Sequence, residues 1–128
     1  MWIYILFSKY LLYSLTQIFI MGLFVSPILE SKRDAWESWT SAFKGSKKDE
    51  FDNFNKRYEI TRHEAWLVET PNGPLAVVLH EGPGAETFMQ KVVQSDNSFE
   101  KSFVASVAEL HGMDLGVPPT GPLPKKVL

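Results

Sequence analysis

Five polar residues sit on two β-leaning runs flanking a turn signal: Arg62, His63 and Glu64 on the first run, His80 and Glu81 on the second. Between them lies Pro71-Asn72-Gly73, and Asn-Gly between apolar runs is a strong hairpin cue. With Asn72-Gly73 as a two-residue turn, Glu64 faces Glu81 and His63 lies near His80. With Pro71-Asn72-Gly73 as a bulged loop, His63 faces Glu81 and Glu64 faces His80, because side chains alternate between faces. The first register sets two carboxylates together, which raises one pKa and suits acid/base work. The second makes two His–Glu pairs in which a carboxylate orients an imidazole base. His63, Glu64, His80 and Glu81 are therefore the catalytic candidates, and Arg62 is placed to steady a developing anion. As purely structural residues, the same five would form cross-strand ion pairs in solvent near the open end of the hairpin.

The remaining candidates are weaker. His111 immediately precedes Gly112, where a histidine can satisfy free helix carbonyls and the negative end of the dipole; Asp114 reads as a turn residue beside it. The three histidines show neither H-x-H nor H-E-x-x-H spacing, so no metal site is expected. A haem would need His63, His80 or His111 as axial ligand over a large apolar cavity, and no cofactor is expected. Trp36, Trp39 and Trp66 suit a core; Trp36 and Trp66 are also candidates to line an aromatic ligand pocket. Gly82-Pro83-Gly84 before a helix is too short for a dinucleotide fingerprint, and no phosphate-loop or nucleophile-elbow motif is present.

The elements that must position these residues follow from hydrophobic periodicity. Residues 22–28 are rich in strand formers, and Pro27 ends the ladder or marks an edge strand. Ser31 and Asp34 form a helix-start signal. Ala35, Trp36, Trp39, Ala42 and Phe43 then make one apolar stripe, and Gly45 is placed for a left-handed C-terminus. Ser46 and Asp49 repeat the start signal before Phe51, Phe54 and Tyr58, as one bent helix or a helical hairpin. Strands are expected over 60–70 and 74–81, a short helix over 85–94, and a further helix capped by 95–98 that carries Phe99, Phe103, Val107 and Leu110. Pro118, Pro119, Pro122 and Pro124 exclude a helix from the tail, leaving an extended arm or a last short strand at 125–128. The order is that of an α+β domain of the ferredoxin-like kind, βαββα(β), with helices on one face of an antiparallel sheet. Its limits are 21–116, between an apolar segment at 1–20 and a Pro-rich arm at 117–128. Val77 and Leu79 share one side of their strand while Ala76 and Val78 share the other, so the helices of one copy cannot bury both faces.

From Met21 onward the chain resembles a bacterial family of small uncharacterised proteins within the dimeric α/β-barrel superfamily. The resemblance is carried by Arg62-His63-Glu64-Ala65-Trp66-Leu67, Thr70-Pro71-Asn72-Gly73-Pro74, Ser98-Phe99 and His111-Gly112-Met113-Asp114-Leu115. It leaves residues 1–20 outside. It implies a βαββαβ unit whose sheet packs against that of a second copy. The superfamily spans cofactor-free monooxygenases, haem-degrading enzymes, chlorite-dismutase-like proteins and ligand-binding or regulatory domains, and fold does not choose among them.

Composition narrows the partners. With 128 residues, a net charge of −2 and scattered charges, the chain has no footprint for nucleic acid or an anionic membrane. The absence of cysteine removes disulfides, thiol nucleophiles and Cys-ligated metals, and fits a reducing compartment. The apolar run from Met1, interrupted by Lys9, is long enough with its continuation to span a bilayer and reads as an upstream extension or a membrane anchor. The expected protein is cytoplasmic, or membrane-anchored through 1–20, and homodimeric through its open sheet face. It is read as a small-molecule-binding or regulatory protein for an apolar or aromatic ligand. The alternative is a cofactor-independent monooxygenase- or isomerase-like enzyme.

Overall fold

A computed structural model describes residues 21–116 and 124–128. Strand β1 (Met21–Pro27) passes through a 3-10 turn at Glu30–Lys32 into helix α1 (Arg33–Ala42). Helix α2 (Lys48–Arg57), the hairpin strands β2 (Arg62–Thr70) and β3 (Gly73–Glu81), and helices α3 (Phe88–Val93) and α4 (Ser98–His111) follow. The fold is α+β, a three-stranded antiparallel sheet in the order β1-β3-β2. The doubly apolar β3 takes the central position, where both of its ladders are used.

The hairpin adopts neither expected register. Thr70 pairs with Gly73, so the tip is Pro71-Asn72, and His63 lies opposite His80, Arg62 opposite Glu81 and Glu64 opposite Leu79. Proline is the physical reason. The mirror-image turn that favours Asn-Gly needs positive φ at both central residues, and Pro71 at the first is locked to negative φ. The cue is displaced by one position: Gly73 takes the positive φ, 114°, one step beyond the tip. The Thr70 hydroxyl donates to Gly73 O at 2.7 Å and accepts from the Asn72 N–H at 3.2 Å, which holds the turn.

Alternation along the ladders defines two faces. Gly22, Phe24 and Ser26, with Ala76, Val78 and His80, and His63, Ala65 and Leu67, point toward the helices. There Phe54, Ile60, Ala85, Phe88, Val92 and Phe103 form one buried cluster, and Ile28, Trp36, Ala76 and Leu110 form a second. Phe54 joins the rings, with centroids 5.0 Å from both Phe99 and Phe103 and 5.4 Å from Phe88. The outer face holds Met21, Leu23 and Val25 beside Val77 and Leu79, with Trp66 and Val68 beyond; Met21 is 50 % exposed and Trp66 45 %.

Helix ends follow the sequence in one case and not in two. Asn97 caps α4, its side chain accepting from Phe99 N at 2.8 Å, and Gly112 ends it at φ 63°. Helices α1 and α2 have no side-chain cap, because they begin at Arg33 and Lys48, after Ser31 and Ser46. Backbone turns precede them instead, Lys32 N bonding Leu29 O and Lys48 N bonding Gly45 O. The turn at 43–47 separates two helices, and Gly45 is not among the left-handed glycines. The α2–β2 link is unusually close to the β3–α3 link. Glu59 turns at φ 55°, and a Cβ on Gly84 would meet Tyr58 O at 1.8 Å, so only glycine fits there.

The expected last strand at 125–128 is not formed, and Val127 and Leu128 are exposed. The apolar segment 1–20 and most of the arm expected at 117–128 lie outside the described residues. No helix among the described residues is long and apolar enough to cross a membrane.

Candidate functional site

The five hairpin candidates are divided between the two faces of the sheet. His63 and His80 turn inward under the helices; Arg62, Glu64 and Glu81 turn outward. Arg62 lies between the two carboxylates, 2.9 Å from Glu64 and 3.6 Å from Glu81. Its hydrogen bond and charge hold the Glu64 carboxyl below its ordinary range. Both carboxylates are half-buried and paired with Arg62, and neither orients an imidazole.

The inward pair is built differently. His63 and His80 approach through Nε2 at 3.2 Å with their rings nearly perpendicular, and His63 Nδ1 meets Asn55 Oδ1 at 2.9 Å. Phe88 packs on His80 at 4.5 Å and Phe24 at 5.3 Å, while Phe51 covers His63 at 4.9 Å. Burial disfavours the imidazolium. It pushes the His63 pKa down to about 3, with help from the charge His80 would carry, and the His80 pKa down to about 4.

Both rings are therefore neutral, and their protons can be placed. An amide oxygen only accepts, so His63 carries its proton on Nδ1 and donates to Asn55. His63 Nε2 then accepts, and His80 Nε2–H donates to it. The chain ends at His80 Nδ1, a buried lone pair with no partner among the described residues. Turning the Asn55 amide over would reverse the chain and leave a buried N–H unpaired instead. Unpaired buried N–H groups are rarer than under-satisfied acceptors, so this direction is the favoured one.

His63 faces an open cleft of about 340 Å³ between α2 and β2, shared with Phe51, Asp52, Asn55, Lys56, Ile60 and Thr61. Its chemistry is that of a neutral, hydrogen-bonding floor beside an aromatic ring. As general bases at neutral pH these imidazoles are poorly matched, since the favourable catalytic pKa lies near the working pH.

His111 sits elsewhere. Its Nδ1 donates to Pro27 O at 2.8 Å, and its Nε2 accepts from the Trp36 indole N–H at 3.1 Å. It thus ties α4 to the end of β1 and to α1, beyond the helix-capping expected of it. Ser26 Oγ is 3.2 Å from the same Nδ1, a spacing that resembles a serine–histidine dyad. Nδ1 already carries the proton, so this ring cannot take the Ser26 hydroxyl proton as a general base. Burial lowers the His111 pKa, opposed by the Pro27 carbonyl bond. Trp36 is buried in the second core cluster, whereas Trp66 stands on the outer sheet face, so the two rings do not share a pocket.

Two residues escaped the reading of the sequence. Asn55 follows Phe51 by four positions, a polar side chain on an otherwise apolar stripe. Glu100 is 1 % exposed and receives Arg57 through paired bonds of 3.0 Å, locking α2 to α4. Its spacing to Phe103, Val104 and Val107 puts it on the inner side of α4, which is the signal that marks it. Among the described residues no group of three or more His, Cys, Asp or Glu is placed to hold a metal. Comparison with protein-family models, curated proteins and solved structures finds no match.

Proposed function

We propose that this chain is a small-molecule-binding or regulatory protein of the dimeric α/β-barrel type, working in the cytoplasm without turnover of its own. The observation that carries the reading is the cleft whose floor is the neutral, directionally hydrogen-bonded His63–Asn55 pair. A site of this kind recognises: burial holds its imidazole well below the neutral range, and its carboxylate, Asp52, is paired with Lys48 rather than with an imidazole. The oxygenase- or isomerase-like alternative loses support for the same reason. The ferredoxin-like assignment is supported by the element order, a strand, helices, a hairpin and further helices on one face of the sheet. The absence of cysteine is in keeping with a reducing compartment.

Dimerisation is supported by the outer sheet face. Met21, Leu23, Val25, Trp66 and Val68 are each 40 to 50 % exposed in a single copy, and contiguous apolar patches of this kind mark interaction surfaces. The Arg62–Glu64–Glu81 cluster borders the patch as a polar rim. A second copy packed sheet to sheet would cover it. Native mass spectrometry of the full chain tests both parts. A dimer that carries extra mass, reduced to monomer by Trp66→Lys, is the expected result. A bare monomer at micromolar concentration would overturn the assembly, and a dimer that never retains or binds a small molecule would overturn the binding role.

A further inference from the structure

We propose that the cleft between α2 and β2 binds a small aromatic carboxylate, its ring against Phe51 and Ile60 and its oxygens held by the Asn55 amide N–H and the Lys56 ammonium. The proposal rests on the binding role argued above and supplies the ligand class.

The polarity of the buried chain decides what the cleft offers. Because Asn55 Oδ1 is occupied by His63 Nδ1–H, the amide presents its Nδ2 group, which makes no hydrogen bond to protein among the described residues. The Thr61 hydroxyl does not compete, since it donates to Glu81 O at 3.1 Å. Charge points the same way. Asp52 on the cleft wall is neutralised by Lys48 at 2.5 Å, whereas Lys56 makes no ion pair among the described residues. The cleft therefore offers a donor and a cation, and its acid is already satisfied. An acceptor-rich anionic group matches both, through the charge-assisted hydrogen bonds that are the stronger class.

Size and lining fix the rest of the ligand. About 340 Å³ lies at the lower end of small-molecule sites. The Phe51 ring, already stacked on Phe43 at 4.5 Å, offers a rigid surface for another ring. The neutral His63, with both ring nitrogens already paired inside the protein, adds an uncharged wall that neither repels the ring nor competes for the anion.

The test is a titration of the full-length chain with sodium benzoate, followed by amide and side-chain NMR, with benzyl alcohol as the uncharged control of the same ring. Saturable shifts of the Asn55 side-chain NH2 and the Ile60 amide are expected, with benzyl alcohol binding about tenfold more weakly, the worth of one charge-assisted bond. Lys56→Gln should weaken benzoate about three- to fivefold and leave benzyl alcohol unchanged. Because Asn55→Ala also removes the acceptor of His63, the exposed Lys56 variant is the one that keeps the fold intact. Equal binding of benzoate and benzyl alcohol at the cleft would overturn the ligand class while leaving the binding role standing. If neither these probes nor a broad fragment set shifts cleft residues, both readings fail.

Discussion

Lowering the pH from 8 to 5 tests the buried imidazole pair directly. In the unfolded chain each histidine titrates near 6.5, whereas in the fold His63 is held down to about 3 and His80 to about 4. A depressed histidine pKa means that the unfolded state binds the proton first. Stability is therefore flat above about pH 6.5, and it falls as the pH drops from there toward the folded values. At pH 5 each ring held neutral costs about 2 kcal/mol, so the pair together costs about 4 kcal/mol, a large part of a typical domain's stability. His111, lowered in the same direction, adds to the effect. Urea unfolding followed by tryptophan fluorescence should show a midpoint about 2 M lower at pH 5 than at pH 8, with the slope unchanged. The double variant His63→Phe, His80→Phe keeps the rings among Phe24, Phe51 and Phe88 and removes both titrations, so most of the pH dependence should vanish. Equal midpoints at the two pH values, or a double variant that keeps the full dependence, would refute the assignment of a neutral buried pair.

Three further outcomes follow from named contacts. Arg57→Met leaves Glu100 buried without its partner and should cost about 3 kcal/mol in urea titrations, more than Glu100→Gln, whose stranded guanidinium can reach solvent. Gly84→Ala places a methyl group against Tyr58 O and should cost about 3 kcal/mol or prevent folding, as measured by thermal melts and expression yield. His111→Leu strands the buried Trp36 N–H and should cost about 1 to 3 kcal/mol, with an altered tryptophan emission as its local signature.

The parts legible from sequence were those set by local pattern. The stripe Phe99, Phe103 and Leu110, closed by Asn97 and Gly112, gave α4 its limits, because cap chemistry and periodicity act within a few residues. The doubly apolar stretch through Val77 and Leu79 was legible as a strand with two faces to cover, but its central place in the sheet was not. Hairpin register was illegible because it depends on which of Pro71, Asn72 and Gly73 takes positive φ, and Pro71 overrode the Asn-Gly cue. That one-position displacement separated His63 and His80 from the carboxylates they were expected to meet. The partnership of Asn55 with His63 is a contact between α2 and β2, and no spacing within either element encodes it.

The order β1-β3-β2 has a consequence for the path by which the chain folds and comes apart. β2 and β3 are neighbours across a tip of two residues and can pair early, as local hairpins do. β1 is separated from β3 in the chain by α1, α2 and β2, a longer loop to close than the hairpin, so it is expected to join the sheet after β2 and β3 have paired. It also carries no charged residue from Met21 to Pro27, in contrast to β2 with Arg62, Glu64 and Glu69. Edge strands usually rely on such charges to repel unwanted pairing. A transient opening that releases β1 thus frees an uncharged apolar strand and uncovers the matching edge of β3 in the same event. Two molecules opened in this way would present matching strands and edges to each other, so exchange of β1 is the misassembly to look for, as a dimer by gel filtration that grows with concentration and persists in Trp66→Lys.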